Sequence, residues 1–181
     1  MWLQWSLQQL KDWESISEVL GLHAHARDGT AAIEVEREVS LSYRDDSGHG
    51  RLDLLIRQGS ETLCILEIKT KSFSDEDLQK QRSYSESREV APEAERIFLA
   101  VDAEGFDLHG FRFLSWSEIC IRLRRLAPSI LANKNPLTAG LLLAFVGAVE
   151  QNLLGLAKSE KDLGALPRTV DHLRQFLEST R

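Results

Sequence analysis

A chain of 181 residues, 43% of them hydrophobic, is long enough to bury a real core, and this composition excludes a disordered protein. Twenty-eight acidic side chains outnumber 22 basic ones, and the net charge of −6 excludes a protein that coats nucleic acid through its overall charge. A local basic groove is compatible with that balance, because steering depends on where the charges lie.

Three further features indicate a cytoplasmic protein. Cys64 and Cys120 lie in apolar runs, so we expect buried free thiols and no disulfide framework. The N-terminal residues lack a basic start followed by an apolar run, so we expect no signal peptide. The most apolar segment, residues 137–149, is shorter than the roughly 20 residues that span a bilayer, so we expect a buried helix and no membrane partner.

The first elements differ in their hydrophobic period. Residues 2–22 have apolar side chains at three- and four-residue steps, which predicts one helix ended by Gly21. Residues 33–43 alternate instead, with apolar side chains on one face and Arg37 as the exception, which predicts a strand. Turn-forming residues 44–50 follow it.

The middle of the chain alternates between strands and helices. Residues 62–70 are apolar on both faces, which is typical of a covered central strand. Acidic residues at 75–77 predict the first turn of a helix that reaches about residue 88. Ser115 and Glu118 have the spacing of a capping box, opening a helix that reaches about residue 126. The other predicted strands are residues 51–57, 96–101 and 109–114.

This order predicts an α/β fold, a mixed central β-sheet flanked by helices. Residues 1–126 would form the core, and residues 127–136, which contain Pro128 and Pro136, would be a linker. Residues 137–181 would be a C-terminal helical extension, with helices at about 137–157 and 168–179. The extension would pack on the core, in a homodimer or on a protein partner.

Three charged residues lie in apolar strands. Glu67 and Lys69 are two residues apart, so their side chains share one face of the strand. Asp53 stands between two leucines in the preceding strand. A hairpin turning near residue 60 would place Asp53 opposite about residue 67. Because isolated buried charges are costly, we expect the three to converge on one site, where they are paired, bind a metal ion or lie near an opening.

Two carboxylates beside an ammonium group suit a Mg²⁺ or Mn²⁺ ion acting on a phosphate, since hard divalent cations choose oxygen ligands. The metal would lower the pKa of a bound water, and Lys69 would hold that water or offset charge on the phosphate. The competing interpretation is a buried salt bridge. Such pairs are weak stabilisers because both charges lose their water.

Two segments carry a family resemblance: GRLDL at residues 50–54 and, after a hairpin, CILEIK at residues 64–69. Together with the helix, three strands and helix around them, they resemble the core of the PD-(D/E)XK nuclease superfamily. The residues of the two segments are similar to those of an uncharacterised nuclease-like branch of this superfamily, found in bacterial defence and mobile-element gene neighbourhoods. The resemblance covers roughly residues 1–126 and implies a restriction-endonuclease-like αβββαβ core.

By this resemblance, Asp53, Glu67 and the backbone carbonyl of Ile68 would bind the metal ion, and Lys69 would serve the attacking water. The implied reaction is hydrolysis of DNA phosphodiester bonds leaving a 5′-phosphate, with RNA as the alternative polymer. Defence, mobile-element or repair processes would be its setting. The rival interpretation is a catalytically inactive module of the same fold that binds nucleic acid or a protein.

The sequence departs from the family pattern at several positions. Leu52 precedes Asp53 where the family name has proline, a replacement that many members share. For the upstream glutamate of the family, Glu38 is the first choice, and Glu14 and Glu18 are the alternatives.

The helix after the lysine often supplies a Gln-x-x-x-Tyr pair. Here Gln81 and Tyr84 are three residues apart and share a helix face, so they are candidates at an altered spacing. The ordinary interpretation, exposed helix residues, competes with that role. For His23, His25 and His49 we favour loop positions, and for Arg122, Arg124 and Arg125 a solvated helix face.

Overall fold

A computed structural model of the chain describes residues 2–10, 12–22, 32–42, 49–85, 87, 90–133 and 135–156. The predicted helix at 168–179 and the histidines at 23 and 25 lie outside them. Within these ranges no helix is long and apolar enough to cross a membrane. The elements are α1 (Trp2–Leu10), α2 (Trp13–Leu20), β1 (Ile33–Ser42), β2 (His49–Gln58), β3 (Glu61–Ile68), α3 (Asp75–Ser85), β4 (Glu95–Ala100), β5 (Arg112–Ser115), α4 (Trp116–Ala132) and α5 (Pro136–Asn152).

The five strands form one mixed sheet in the order β1-β2-β3-β4-β5. Strands β1, β2 and β3 are joined as antiparallel neighbours, whereas β3, β4 and β5 run parallel. The predicted α/β class, a mixed sheet with helices, is therefore confirmed. Because β3 and β4 are parallel, their C-terminal ends lie at the same edge of the sheet.

The sheet is covered on both faces, because consecutive residues of β3 belong to different apolar clusters. Leu66 belongs to a first core shared with α1, α2, α4 and α5, and Ile65 belongs to a second core shared with α3. Successive side chains of a strand point to opposite faces, so the two cores lie on opposite sides of the sheet. Six consecutive residues of β3 are buried, as predicted for a central strand.

The predicted single helix at 2–22 is wrong, since the structure has two helices there. Asp12 adopts an extended backbone and begins α2, and its side chain accepts a hydrogen bond from the Ser15 N–H at 2.7 Å. In a continuous helix the Ser15 N–H would bond a backbone carbonyl, whereas at the start of a new helix it needs an acceptor such as the Asp12 side chain. Gly21 ends α2 with φ of 65°, as predicted.

We expect Asp12→Ala to lower the free energy of unfolding by about 1 kcal/mol, because it removes the N-cap of α2. Urea unfolding measures the change. Asp12→Asn, which keeps an accepting oxygen, is the control and should unfold near the wild-type midpoint. Equal losses in the two variants would show that the capping bond contributes nothing.

The alternation of residues 33–43 predicted that the apolar side chains of β1 all face one core. The structure instead divides them between the two cores. Val35 belongs to the first core and Leu41 to the second, although the two lie six positions apart, a spacing that would place both on one face of a regular strand. The change of face falls at Glu38, whose φ of 55° is rare for a residue with a side chain. The pattern of apolar residues therefore hides a local twist in β1.

The predicted linker at 127–136 is also wrong. Helix α4 continues through Pro128 to Ala132, and α5 begins at Pro136, with Asn135 accepting a hydrogen bond from the Thr138 N–H at 3.2 Å. Proline usually ends a helix, but Leu126 is buried in the first core and Ile130 packs against that core, which keeps this helix continuous. The predicted helix at 137–157 ends at Asn152.

Helix α5 belongs to the same body as the sheet. Leu142 and Val146 are fully buried in the first core, and Phe145 and Val149 are nearly so. The described part of the predicted C-terminal extension thus packs on the core.

Candidate active site

Asp53 and Glu67 lie where the antiparallel pairing of β2 and β3 stops. The last regular pair is Leu54 with Leu66, so the next position places Asp53 opposite Glu67, as the sequence predicts. The ladder is replaced there by a side-chain bond: Asp53 Oδ2 accepts a hydrogen bond from the Ile68 N–H at 2.7 Å. This bond ties the Asp53 carboxylate to the backbone of the Glu67–Lys69 segment.

Glu67 is a buried carboxylate, 6% exposed, on the sheet face of the second core. Its Oε1 lies 3.0 Å from Lys69 Nζ, but its buried Oε2 has no hydrogen-bond partner among the described residues. Burial and, after it, the neighbouring Asp53 carboxylate raise the pKa of Glu67 to about 7. The protein therefore holds an incompletely paired carboxylate beside a second one.

Lys69 follows β3 directly, and both sides of its backbone are held. Its N–H donates to the Leu99 carbonyl at 2.8 Å, and its own carbonyl accepts from Trp116 Nε1 at 3.0 Å. Burial opposes the charged amine, but the carboxylates of Glu67 and Asp77 outweigh it and raise the pKa of Lys69. The ammonium group is thus fixed beside Glu67.

Asp77 is a site residue that the sequence interpretation missed. Its Oδ1 lies 3.4 Å from Lys69 Nζ, and its Oδ2 accepts hydrogen bonds from the N–H and hydroxyl of Ser74, at 3.0 and 3.1 Å. The Ser74 backbone bond is the main cause that lowers the pKa of Asp77. The Ser-x-x-Asp spacing at 74–77 marks a helix start, but no local signal connects it with Lys69.

Glu38, the predicted upstream glutamate, faces Asp53 across the β1–β2 pair, because Arg37 pairs with Leu54 and Val39 with Leu52. Its carboxylate is exposed and forms ion pairs with Arg37 and, at 3.9 Å, with Arg51. The hydrogen bond from Arg37 is the first cause that lowers the pKa of Glu38. The strand register thus places Glu38 near the site, but its carboxylate forms ion pairs with Arg37 and Arg51.

The structure does not bring the alternatives Glu14 and Glu18 to this place. Both are exposed on α2. That helix buries Ile16 and Val19 in the first core, on the sheet face opposite to Glu67.

Tyr84 is buried in the second core, and its hydroxyl donates to the Arg51 carbonyl at 3.1 Å. Tyr84 is therefore not an exposed helix residue, and its hydroxyl supports β2 two residues before Asp53. Gln81 lies in α3, and its side chain, like that of His49, is outside the described part of the structure.

In the predicted basic cluster, Arg122 contacts Glu118 at 3.4 Å and Arg124 forms two hydrogen bonds with Glu150.

The described residues hold no cluster of three or more His, Cys, Asp or Glu side chains with the arrangement of a metal site. The acidic pair nevertheless fits a hard divalent cation. Glu67 Oε2 is buried without a partner in the part of the chain that the structure describes, and burial beside Asp53 disfavours the charged form that a cation would stabilise. Mg²⁺ typically uses one or two protein carboxylates and keeps several waters, so two acidic ligands are enough.

The comparisons with known proteins do not assign this chain to a family. No family model matches it, and no curated protein or solved structure shows significant similarity to it.

Proposed function

We propose that this protein is a metal-dependent nuclease that hydrolyses phosphodiester bonds in DNA, with a site of the PD-(D/E)XK kind. The observation that carries the proposal is the buried Oε2 of Glu67, which has no partner among the described residues although Asp53 and Lys69 are beside it. A cation bound there would complete the coordination of both carboxylates.

The competing function of these charges is a structural ion pair, and one feature argues against it. An ion pair that only stabilises the fold needs hydrogen bonds to every buried oxygen to offset the lost hydration. Among the described residues, Glu67 meets this requirement at one oxygen only, and Asp53 adds a second negative charge nearby. Such an arrangement costs stability and is typical of functional sites.

The proposed mechanism assigns one task to each residue. Asp53 and Glu67 would hold Mg²⁺ or Mn²⁺, together with the Ile68 carbonyl. When bound, the ion would polarise the phosphoryl oxygen and make a bound water more acidic. Lys69 would orient that water and offset the negative charge that develops on the phosphate. Asp77 would keep the Lys69 ammonium group in place, since it contacts Nζ from the helix side.

We expect the protein to cut single-stranded, double-stranded or branched DNA in Mg²⁺ or Mn²⁺, and to stop when EDTA is added. Asp53→Asn should remove both the cleavage and the heat of metal binding in calorimetry, because it removes one charged ligand. Asp75→Asn, which removes a charge from the exposed start of α3, is the matched control and should retain both.

Absence of cleavage on every DNA substrate, together with absence of metal binding, would reject the nuclease. DNA binding without either activity would indicate the rival function, a non-catalytic binding module.

A further inference from the structure

A row of three aromatic rings leads from Glu67 to the protein surface. Phe98 is the neighbour of Glu67 on β4. The Phe73 ring packs edge-on against Phe98, with centroids 4.9 Å apart, and the Phe106 ring lies 4.7 Å from Phe73. Phe98 is fully buried, Phe73 is partly buried and Phe106 is 40% exposed. We call Phe73 and Phe106 the aromatic ledge.

The ledge borders the acid–lysine site. Phe73 immediately precedes Ser74, which is hydrogen-bonded to Asp77, and Asp77 contacts Lys69. Phe106 belongs to the loop that follows β4, at the same sheet edge as the end of β3. An exposed aromatic surface and the proposed reaction centre therefore lie side by side.

The loop that carries Phe106 is ordered by its own acidic residues. Asp102 accepts a hydrogen bond from the Glu104 N–H at 3.0 Å, and Asp107 accepts one from the His109 N–H at 2.9 Å. The Phe106 N–H donates to the Ala103 carbonyl at 3.3 Å. These turns order the loop around the Phe106 ring, which is 40% exposed although it packs against Phe73.

We propose that the aromatic ledge stacks on a nucleobase of single-stranded nucleic acid whose phosphate lies at Lys69. The inference rests on the proposed function and adds a preference for unpaired strands. Inside a duplex both faces of a base are covered by its neighbours, so only a base outside the duplex can stack on Phe106. The substrate is a single strand, a frayed end or a branch.

The charge around the ledge limits the length of this contact. Asp102, Glu104 and Asp107 in the same loop would repel a phosphate backbone that followed the loop. One or two bases can stack on the ledge while their phosphates stay on the Lys69 side. We therefore infer a short stacking contact beside the scissile phosphate, in place of a long groove that tracks the strand.

The test is binding of a fluorescent oligothymidylate and of the matching blunt duplex, measured by anisotropy in Mg²⁺ with Asp53→Asn protein, which should not cut and which keeps Lys69. Adding Phe106→Ala should weaken binding of the single strand about 10- to 100-fold, as expected for loss of one stacked base. Phe106→Tyr keeps a ring and should retain binding. Leu137→Ala, which shortens an exposed apolar side chain of α5, is the control for lost apolar surface.

Unchanged single-strand binding in Phe106→Ala would overturn the proposal, and so would an equal loss for the duplex or no binding by the parent protein. The cleavage assay of the wild-type protein separates this result from the proposed function. Binding that depends on Phe106 without any metal-dependent cleavage would reject the nuclease and support the ledge as a binding surface.

Discussion

Lys69→Ala is expected to lower the rate of metal-dependent DNA cleavage by about 10²–10³-fold, the usual effect of removing one group that stabilises developing charge. The backbone of Lys69 is held by Leu99 and Trp116, so the substitution should remove the ammonium group without moving the strand. Single-turnover cleavage at saturating Mg²⁺ measures the effect on the chemical step.

Two variants separate the chemistry from charge and packing. Lys71→Ala removes an exposed positive charge two residues further on and should cleave within a few-fold of wild type. Lys69→Met keeps the length of the buried stem and should be as inactive as Lys69→Ala. Full cleavage by Lys69→Met would show that the ammonium group has no part in the reaction.

Glu67→Gln is expected to stabilise the metal-free protein at pH 8 by up to about 3 kcal/mol, and to have little effect at pH 5. Folding raises the pKa of Glu67 to about 7, from an ordinary value of 4.5. Between these values the folded state holds more protons than the unfolded state, so stability falls as the pH rises. The magnitude follows from about 1.4 kcal/mol for each pH unit between them.

Urea unfolding in EDTA at pH 5, 6, 7 and 8 measures this difference between variant and wild type. Glu95→Gln, which removes an exposed carboxylate from β4, is the control and should follow wild type at each pH. Adding Mg²⁺ at pH 8 should stabilise the wild type and narrow the gap, because the cation binds the charged carboxylate. A difference in unfolding free energy between Glu67→Gln and wild type that stays constant with pH would contradict a buried Glu67 that holds a proton.

Local patterns predicted several elements because short-range chemistry decides them. The apolar run of β3, the Ser115–Glu118 capping box and the left-handed Gly21 each depend on neighbours within one turn or strand. Local rules failed at Asp12, where a cap replaced a continuous helix, and at Pro128, where packing against the first core kept a helix intact. In both places a specific interaction, a capping hydrogen bond or packing in the core, outweighed the average conformational preference of the residue.

The sequence alone determined that Asp53, Glu67 and Lys69 meet. Strand periodicity places Glu67 and Lys69 on one face, and hairpin pairing places Asp53 opposite Glu67. Both are short-range geometric constraints that a single sequence contains.

Tertiary structure alone decided what surrounds these three residues. Asp77 reaches the site from α3, Trp116 from the start of α4 and Phe106 from the loop after β4, and none of them is near Asp53 in sequence. The parallel pairing of β3 with β4 brings their ends to one edge, and α3 crosses the face that carries Glu67. Such contacts depend on how whole elements pack, which the order of residues within each element does not specify.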